Sequence, residues 1–169
     1  MNSLYGTKAE KYAKYRWGYA AEAIAAIFDA VGVSSQTVVA DLGAGTGILT
    51  KHFVGRAKLV YAIEPEAEMR AFLEKAFSEN PFCQIINSSA ENTGLPAHSV
   101  DLIIVGQVIH WFEPGAAYKE FQRVLKPVGW LALLRNYGTD LAYEKAITPL
   151  FEKFSRPEPV QRISRTSIS

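Results

Sequence analysis

Apolar and polar residues follow two periods along this chain, and their alternation predicts a fold. From 20 to 31 the apolar positions Ile24, Ile27, Phe28 and Val31 recur at helical spacing, and Gly32 supplies a stop. Residues 37–42 (Thr-Val-Val-Ala-Asp-Leu) form instead a short β-branched and apolar run that ends at Gly43, the pattern of a buried strand. A helix is predicted over 46–56, with Ile48, Leu49 and Phe53 inward. A second strand over 59–63 is ended by Glu64-Pro65. Residues 66–77 read as a helix with Met69, Phe72, Leu73, Ala76 and Phe77 on one face, 84–86 as a weaker strand and 100–105 as a fourth. Glu113-Pro114 opens a helix that runs to Leu125 and buries Phe121, Val124 and Leu125, proline being favoured at the first helical position. The fifth strand is 130–134. Asp140 would cap a last helix through Phe154, with Pro149 kinking it. Strands and helices in strict alternation predict an α/β domain built on a doubly wound parallel sheet.

Composition narrows the class without changing this reading. With 169 residues, 49% hydrophobic and 21% charged, the chain suits one globular domain and excludes broad disorder. A net charge of +1 gives no reason to expect a nucleic-acid partner. No apolar run reaches the ~18–20 residues of a membrane span, and the polar N-terminus is no signal peptide, so no membrane partner is expected. The single cysteine, Cys83, cannot form an internal disulfide, and a cytoplasmic protein is expected. His52, His98 and His110 have no metal-ligand spacing, so no metal is expected either.

The most informative stretch is Asp41-Leu42-Gly43-Ala44-Gly45-Thr46-Gly47, between the first strand and its helix. In a doubly wound sheet this turn borders the crevice at the carboxyl ends of the strands, where ligands bind. Glycines there allow unusual dihedrals and close approach of a ligand to the backbone, and free N–H groups at the helix start would attract an anion. A nicotinamide or flavin fingerprint would need glycine at position 48, which is Ile48. Glu64 ends the second strand, where an acid can accept hydrogen bonds from both hydroxyls of a ribose and would repel a 2′-phosphate. The alternative is that Glu64 merely complements the dipole of the next helix.

The run 41–47 followed by Glu64-Pro65 resembles the S-adenosylmethionine-binding motifs of class I methyltransferases, and the resemblance extends over roughly residues 5 to 150. Ser88-Ser89-Ala90-Glu91-Asn92-Thr93-Gly94-Leu95-Pro96 is similar to the segment after strand three, where the family often has Gly-Asp-Ala-Glu before Leu-Pro. Ser99-Val100-Asp101-Leu102-Ile103 and Gly106-Gln107-Val108-Ile109-His110-Trp111-Phe112 resemble strand four and its exit. Phe121-Gln122-Arg123-Val124-Leu125-Lys126-Pro127 resembles the junction into strand five. This ordered set resembles the type 11 group, especially members with Gln-x-x-His-Trp-Phe.

The resemblance implies a three-layer Rossmann-like domain with strand order 3-2-1-4-5, S-adenosylmethionine as cofactor (S-adenosylhomocysteine as product) and a small-molecule methyl acceptor. By similarity Asp41 would lie near the methionine ammonium, and the backbone of Gly43, Ala44 and Gly45 would pass beneath the methionine and ribose. Glu64 would hold the ribose diol, with Pro65 and Met69 near the adenine. Ser89 stands where the family places an Asp that accepts from the adenine amine, so that contact loses its charge assistance; the other reading is a polar loop residue. The Ala90 N–H would meet an adenine ring nitrogen, and Gln107 would sit at the methionine end.

Methyl transfer is an in-line displacement that requires alignment and exclusion of water more than a nucleophilic side chain. His110 is the candidate general base if the acceptor is a hydroxyl or amine; the alternative is that His110-Trp111-Phe112 packs the chain leaving strand four. Tyr12, Tyr15-Arg16 and Tyr19 resemble the family's Tyr-x-x-Tyr-Arg segment, which covers the cofactor. Residues 1–19 would thus form a partial lid, with Tyr15, Arg16 and Trp111 on the substrate side.

Two departures stand out. Lys126-Pro127-Val128-Gly129 replaces the usual Lys-Pro-Gly-Gly, which either strains Val128 at positive φ or changes the turn. The usual strands six and seven are not found, so the core is expected to span 1–154 with a flexible tail over 155–169, and the strand-five edge would favour self-association. The alternatives to an active enzyme are a truncated cofactor-binding remnant and, disfavoured by Ile48, a dinucleotide-dependent oxidoreductase.

Overall fold

The computed structural model describes residues 18–136. Strands Val38–Leu42 (β1), Leu59–Ile63 (β2), Cys83–Ile86 (β3), Val100–Gly106 (β4) and Leu125–Leu134 (β5) form one parallel sheet in the order β3-β2-β1-β4-β5. Helices Ala21–Val31 (α1), Ala67–Phe77 (α2) and Pro114–Val124 (α3) flank it. The doubly wound sheet is the one the alternation predicts.

Side-chain alternation sorts the core into layers. Val39, Val60, Leu102 and Ile104 point to one face, where they are buried with Ile24, Ile27 and Phe28 of α1 and with Leu49 and Phe53. Ala40, Leu42, Ile103 and Val105 point to the other, against Ala117, Phe121 and Val124 of α3. Leu73 of α2 packs on Ala62 and Ala44. Each fully buried aliphatic side chain of this kind contributes about 1.5–3 kcal/mol. Asp41, an odd position like Val39, therefore projects into the apolar α1 face, where it is 1% exposed.

Three local expectations are corrected. The helix predicted over 46–56 is an irregular coil of turns holding only the 3-10 turn Thr50–His52. Gly47 (φ +85°) and Gly55 (φ +78°) lie in the left-handed region, which a continuous right-handed helix cannot contain. Ala76 of α2 is exposed rather than part of its inward face. The helix predicted to reach Leu125 stops at Val124, and β5 begins at Leu125 instead of Trp130. Val100 pairs Leu125 and Leu102 pairs Trp130, so Lys126–Gly129 bulge out opposite Asp101. Val128 is not at positive φ and stands 87% exposed on this bulge, so the junction changes its turn rather than straining. Asp101 holds it there: one carboxylate oxygen accepts from Lys126 Nζ at 2.7 Å and the other from the Val38 N–H at 2.8 Å.

Tyr12, Tyr15 and Arg16 of the expected lid, the last helix, the tail, the two domain boundaries and the residues where strands six and seven would fall all lie outside the described residues. No described helix is long and apolar enough to cross a membrane.

Candidate functional site

Parallel pairing of β1 with β2 (Asp41↔Ala62, Leu42↔Ile63) brings two acids and the glycine turn together at the carboxyl ends of the strands. The sheet order reverses between β1 and β4, so this is also the topological switch point. Asp41 is buried beneath the turn, where Thr50 Oγ1 donates to its Oδ2 at 2.6 Å. Burial pushes the Asp41 carboxyl up to about 7; the Thr50 hydrogen bond opposes this, and the Glu64 carboxylate adds to it.

Glu64 is 6% exposed, and the protein itself holds both of its oxygens. Gly45 N–H donates to Oε2 at 2.7 Å and Glu66 N–H to Oε1 at 2.9 Å. Burial raises its pKa, these two N–H groups and Arg70 oppose the rise, and the neighbouring Glu66 adds to it. Arg70 Nη1 donates to the Glu64 and Pro65 carbonyls and to Asn87 Oδ1 at 2.9–3.0 Å, which ties the ends of β2 and β3 together. Pro65 is exposed and Met69 half-buried on the adjoining turn of α2.

The expectation of free N–H groups in the glycine turn is corrected. Gly43 and Ala44 both donate to the Ile63 carbonyl (2.9 and 3.0 Å), Gly45 to Glu64 and Gly47 to the Ala44 carbonyl. A buried backbone donor finds a partner, and here the end of β2 supplies it. The glycines also divide by role. A Cβ on Gly43 would stand 2.6 Å from Val108 Cγ2, and one on Gly47 would stand 2.6 Å from Phe77 Cε2, so both allow close packing. Gly45 has φ +58° and, among the described residues, nothing within 4 Å of its Cβ position, which leaves open space over the turn. Beside it, Thr46 Oγ1 is buried with no hydrogen-bond partner among the described residues. An open cradle and an unsatisfied hydroxyl are what a polar ligand lying on the turn would fill.

The β3–β4 loop supplies the next group. Ala90 is buried, 3% exposed. Ser89 hydrogen-bonds the Glu91 carboxylate and helps hold that acid below the usual range. Donating its proton leaves the Ser89 oxygen polarised as an acceptor. Behind this loop, Thr93 N–H and Oγ1 donate to Glu120 Oε1 (2.8 and 2.6 Å), and Arg123 Nε and Nη2 donate to Glu120 at 2.7 Å while Nη2 also donates to the Leu95 carbonyl. Past β4, Gln107 adopts φ +50° and donates its N–H to the Leu134 carbonyl at 2.9 Å. Val108 and Phe112 then close over Gly43. Phe112 packs edge-on to Phe121, whereas His110 and Trp111 are exposed, Trp111 at 80%, with their rings 5.5 Å apart.

The structure thus brings Asp41, Gly43, Ala44, Gly45 and Glu64 into one site, with Ser89, Ala90 and Gln107 on the segments following β3 and β4. Thr50, Thr46, Arg70 and the Glu120–Arg123 pair were missed by the motif reading. Thr46, Thr50 and Phe53 fall at helical spacing, which was the available signal for the threonines. No group of three or more His, Cys, Asp or Glu among the described residues could hold a metal ion.

Comparison with known proteins agrees with this fold. The type 11 family model described as "Methyltransferase domain" matches residues 40–133. A methyltransferase of Mycobacterium tuberculosis is 32% identical over 177 aligned positions, covering 99% of this chain and 70% of the relative. A SAM-dependent methyltransferase of Aquifex aeolicus superimposes with a TM-score of 0.62 at 23% identity, covering 78% of each chain. A phosphoethanolamine N-methyltransferase of Haemonchus contortus, solved with phosphoethanolamine and S-adenosylhomocysteine, superimposes with a TM-score of 0.59 at 17% identity, over 75% of this chain and 30% of that one.

Proposed function

The chain belongs to the type 11 methyltransferase-domain family, and from that premise we propose that it transfers a methyl group from S-adenosylmethionine to a small-molecule acceptor. The observation that carries this reading is the pair of buried acids flanking an open glycine turn at the switch point: Asp41 on β1, Glu64 at the end of β2, and the clear space above Gly45. Asp41 would answer the ammonium, Glu64 the ribose diol, the Thr46 hydroxyl a polar group of the methionine portion, and Ser89 with the Ala90 N–H the adenine edge. A nicotinamide dinucleotide is disfavoured by Ile48 and by the family.

The sulfonium supplies an activated methyl carbon, so the chain's residues need only bind, align and exclude water. Each Glu64 oxygen accepts one backbone N–H and keeps a second lone pair, which would accept from the diol. Val108 and Phe112, which lie against Gly43, would wall the methionine end. His110, exposed on the segment after β4, is the side chain on hand to take a proton from an acceptor hydroxyl or amine, and Trp111 is the apolar surface beside it. An acceptor of small size fits a chain whose net charge of +1 offers no attraction to a polyanion.

Calorimetry with S-adenosylmethionine and with NAD tests the cofactor, and release of S-adenosylhomocysteine over a panel of acceptors tests turnover. Failure to bind S-adenosylmethionine would overturn the reading. Glu64→Ala should weaken cofactor binding by at least about tenfold, the loss expected when hydrogen bonds to a charged group are removed.

A further inference from the structure

Thr50 occupies a place that the glycine motif does not explain. It is fully buried, at 0% exposure, and opens the 3-10 turn that replaces the expected helix. Its hydroxyl points at the Asp41 carboxylate at 2.6 Å, and its backbone N–H also hydrogen-bonds that group. A threonine that only filled space would be matched in shape by valine; here the hydroxyl meets the one acid buried in the α1 face of the sheet. The residue is held in place from both sides. Lys51 N–H donates to the Gly47 carbonyl at 3.1 Å and Phe53 N–H to the Thr50 carbonyl at 3.0 Å, while the buried Phe53 ring stacks on Phe28 at 5.1 Å.

We propose, resting on the S-adenosylmethionine reading above, that Thr50 is a positioning residue for the cofactor's ammonium, fixing the orientation of the Asp41 carboxylate that would meet it. The need for such a residue follows from the surroundings. Burial and the Glu64 carboxylate both favour the neutral acid at Asp41. Among the described residues the Cys83 thiol on β3 also feels Asp41, and burial and Asp41 push it up to about 11, so it is neutral at pH 7 and brings no positive charge. Thr50 supplies the hydrogen bonds that favour the charged form, and a protonated Asp41 would offer an ammonium no counter-charge.

The test uses two ligands that share an adenosine thioether and differ in the amino-acid tail. S-adenosylhomocysteine carries the ammonium; 5′-methylthioadenosine does not. Thr50→Val should weaken S-adenosylhomocysteine binding at pH 7 by about tenfold or more, as expected for loss of a hydrogen bond to a charged group, and should leave 5′-methylthioadenosine affinity unchanged. The pH below which S-adenosylhomocysteine affinity falls should move upward in Thr50→Val, and Thr50→Ser should restore the wild-type profile. Equal losses for both ligands would show a merely structural residue and overturn the proposal. So would an unshifted pH profile with unchanged affinity. Failure of the wild-type chain to bind either ligand would instead sink the cofactor reading on which the proposal rests.

Discussion

Two buried acids lie on opposite sides of this sheet, and their environments differ in kind. Glu120, on α3, is saturated: Thr93 gives it a backbone and a hydroxyl donor, and Arg123 adds two more. The Arg123 hydrogen bonds, with the Thr93 donors, outweigh burial and pull its pKa down to about 2. Asp41, beneath the glycine turn, is the more deeply buried of the two, and burial, opposed by the Thr50 hydrogen bonds, raises its pKa to about 7. A structural acid is given every partner the fold can supply. Under the proposed reading, an acid that is to meet a ligand's ammonium is left short of positive charge, and the ligand would relieve that strain on binding.

The comparison breaks first at Glu120. Glu120→Ala leaves the Thr93 N–H and the Arg123 guanidinium without their acceptor, and should cost about 2–3 kcal/mol, less than a wholly buried pair because the Arg123 side chain is 42% exposed. Thermal or denaturant melts measure it. Its pH dependence has a definite sign: the Glu120 pKa is depressed, so its contribution is present above the ordinary glutamate pKa and is lost as pH falls through about 2.

Asp41→Asn should act in the opposite direction on stability. The Asp41 pKa is raised, so the stability tied to its neutral form is present below the unfolded value and is lost as pH rises through about 7. A neutral amide should therefore stabilise the ligand-free protein above pH 7 by about 1–2 kcal/mol while removing cofactor affinity. Melts across pH 5–9 beside calorimetry check both halves; a variant less stable than wild type at pH 8 would contradict the claim that this acid is strained.

Gly45→Ala meets no atom of the described residues within 4 Å, so its effect on the fold reduces to φ +58°, about 1 kcal/mol, while the added methyl enters the space assigned to the cofactor. Affinity should fall by more than stability does; equal losses would place the ligand elsewhere. The smallest expected effect is at Trp111, 80% exposed, where alanine should shift stability by no more than about 0.5 kcal/mol. Any larger change in turnover would then report acceptor contact.

Much of this was legible in the sequence. The element order, the parallel sheet, the two acids and the turn between them come from local periodicity and turn chemistry, which neighbouring residues encode. The stretch 46–56 reads as a helix because apolar Ile48, Leu49 and Phe53 mimic helical spacing, whereas Gly47 and Gly55 at positive φ break it. Likewise Lys126–Gly129 looked like a turn before a strand and became a bulge inside it, held by Asp101 from β4.

Only the tertiary structure decided how the site's polar groups are spent. The Gly45 N–H meets Glu64 from 19 residues away, Thr93 meets Glu120 from 27, and Val38 meets Asp101 from 63. Such pairings have no local signature, because any acid of the right reach would look the same along the chain. The sequence determined that Asp41 and Glu64 would stand at the ends of adjacent strands. Packing of the coil over β1 decided that one would be dry, held by Thr50 and raised in pKa by burial, and that the other would be latched to the glycine turn.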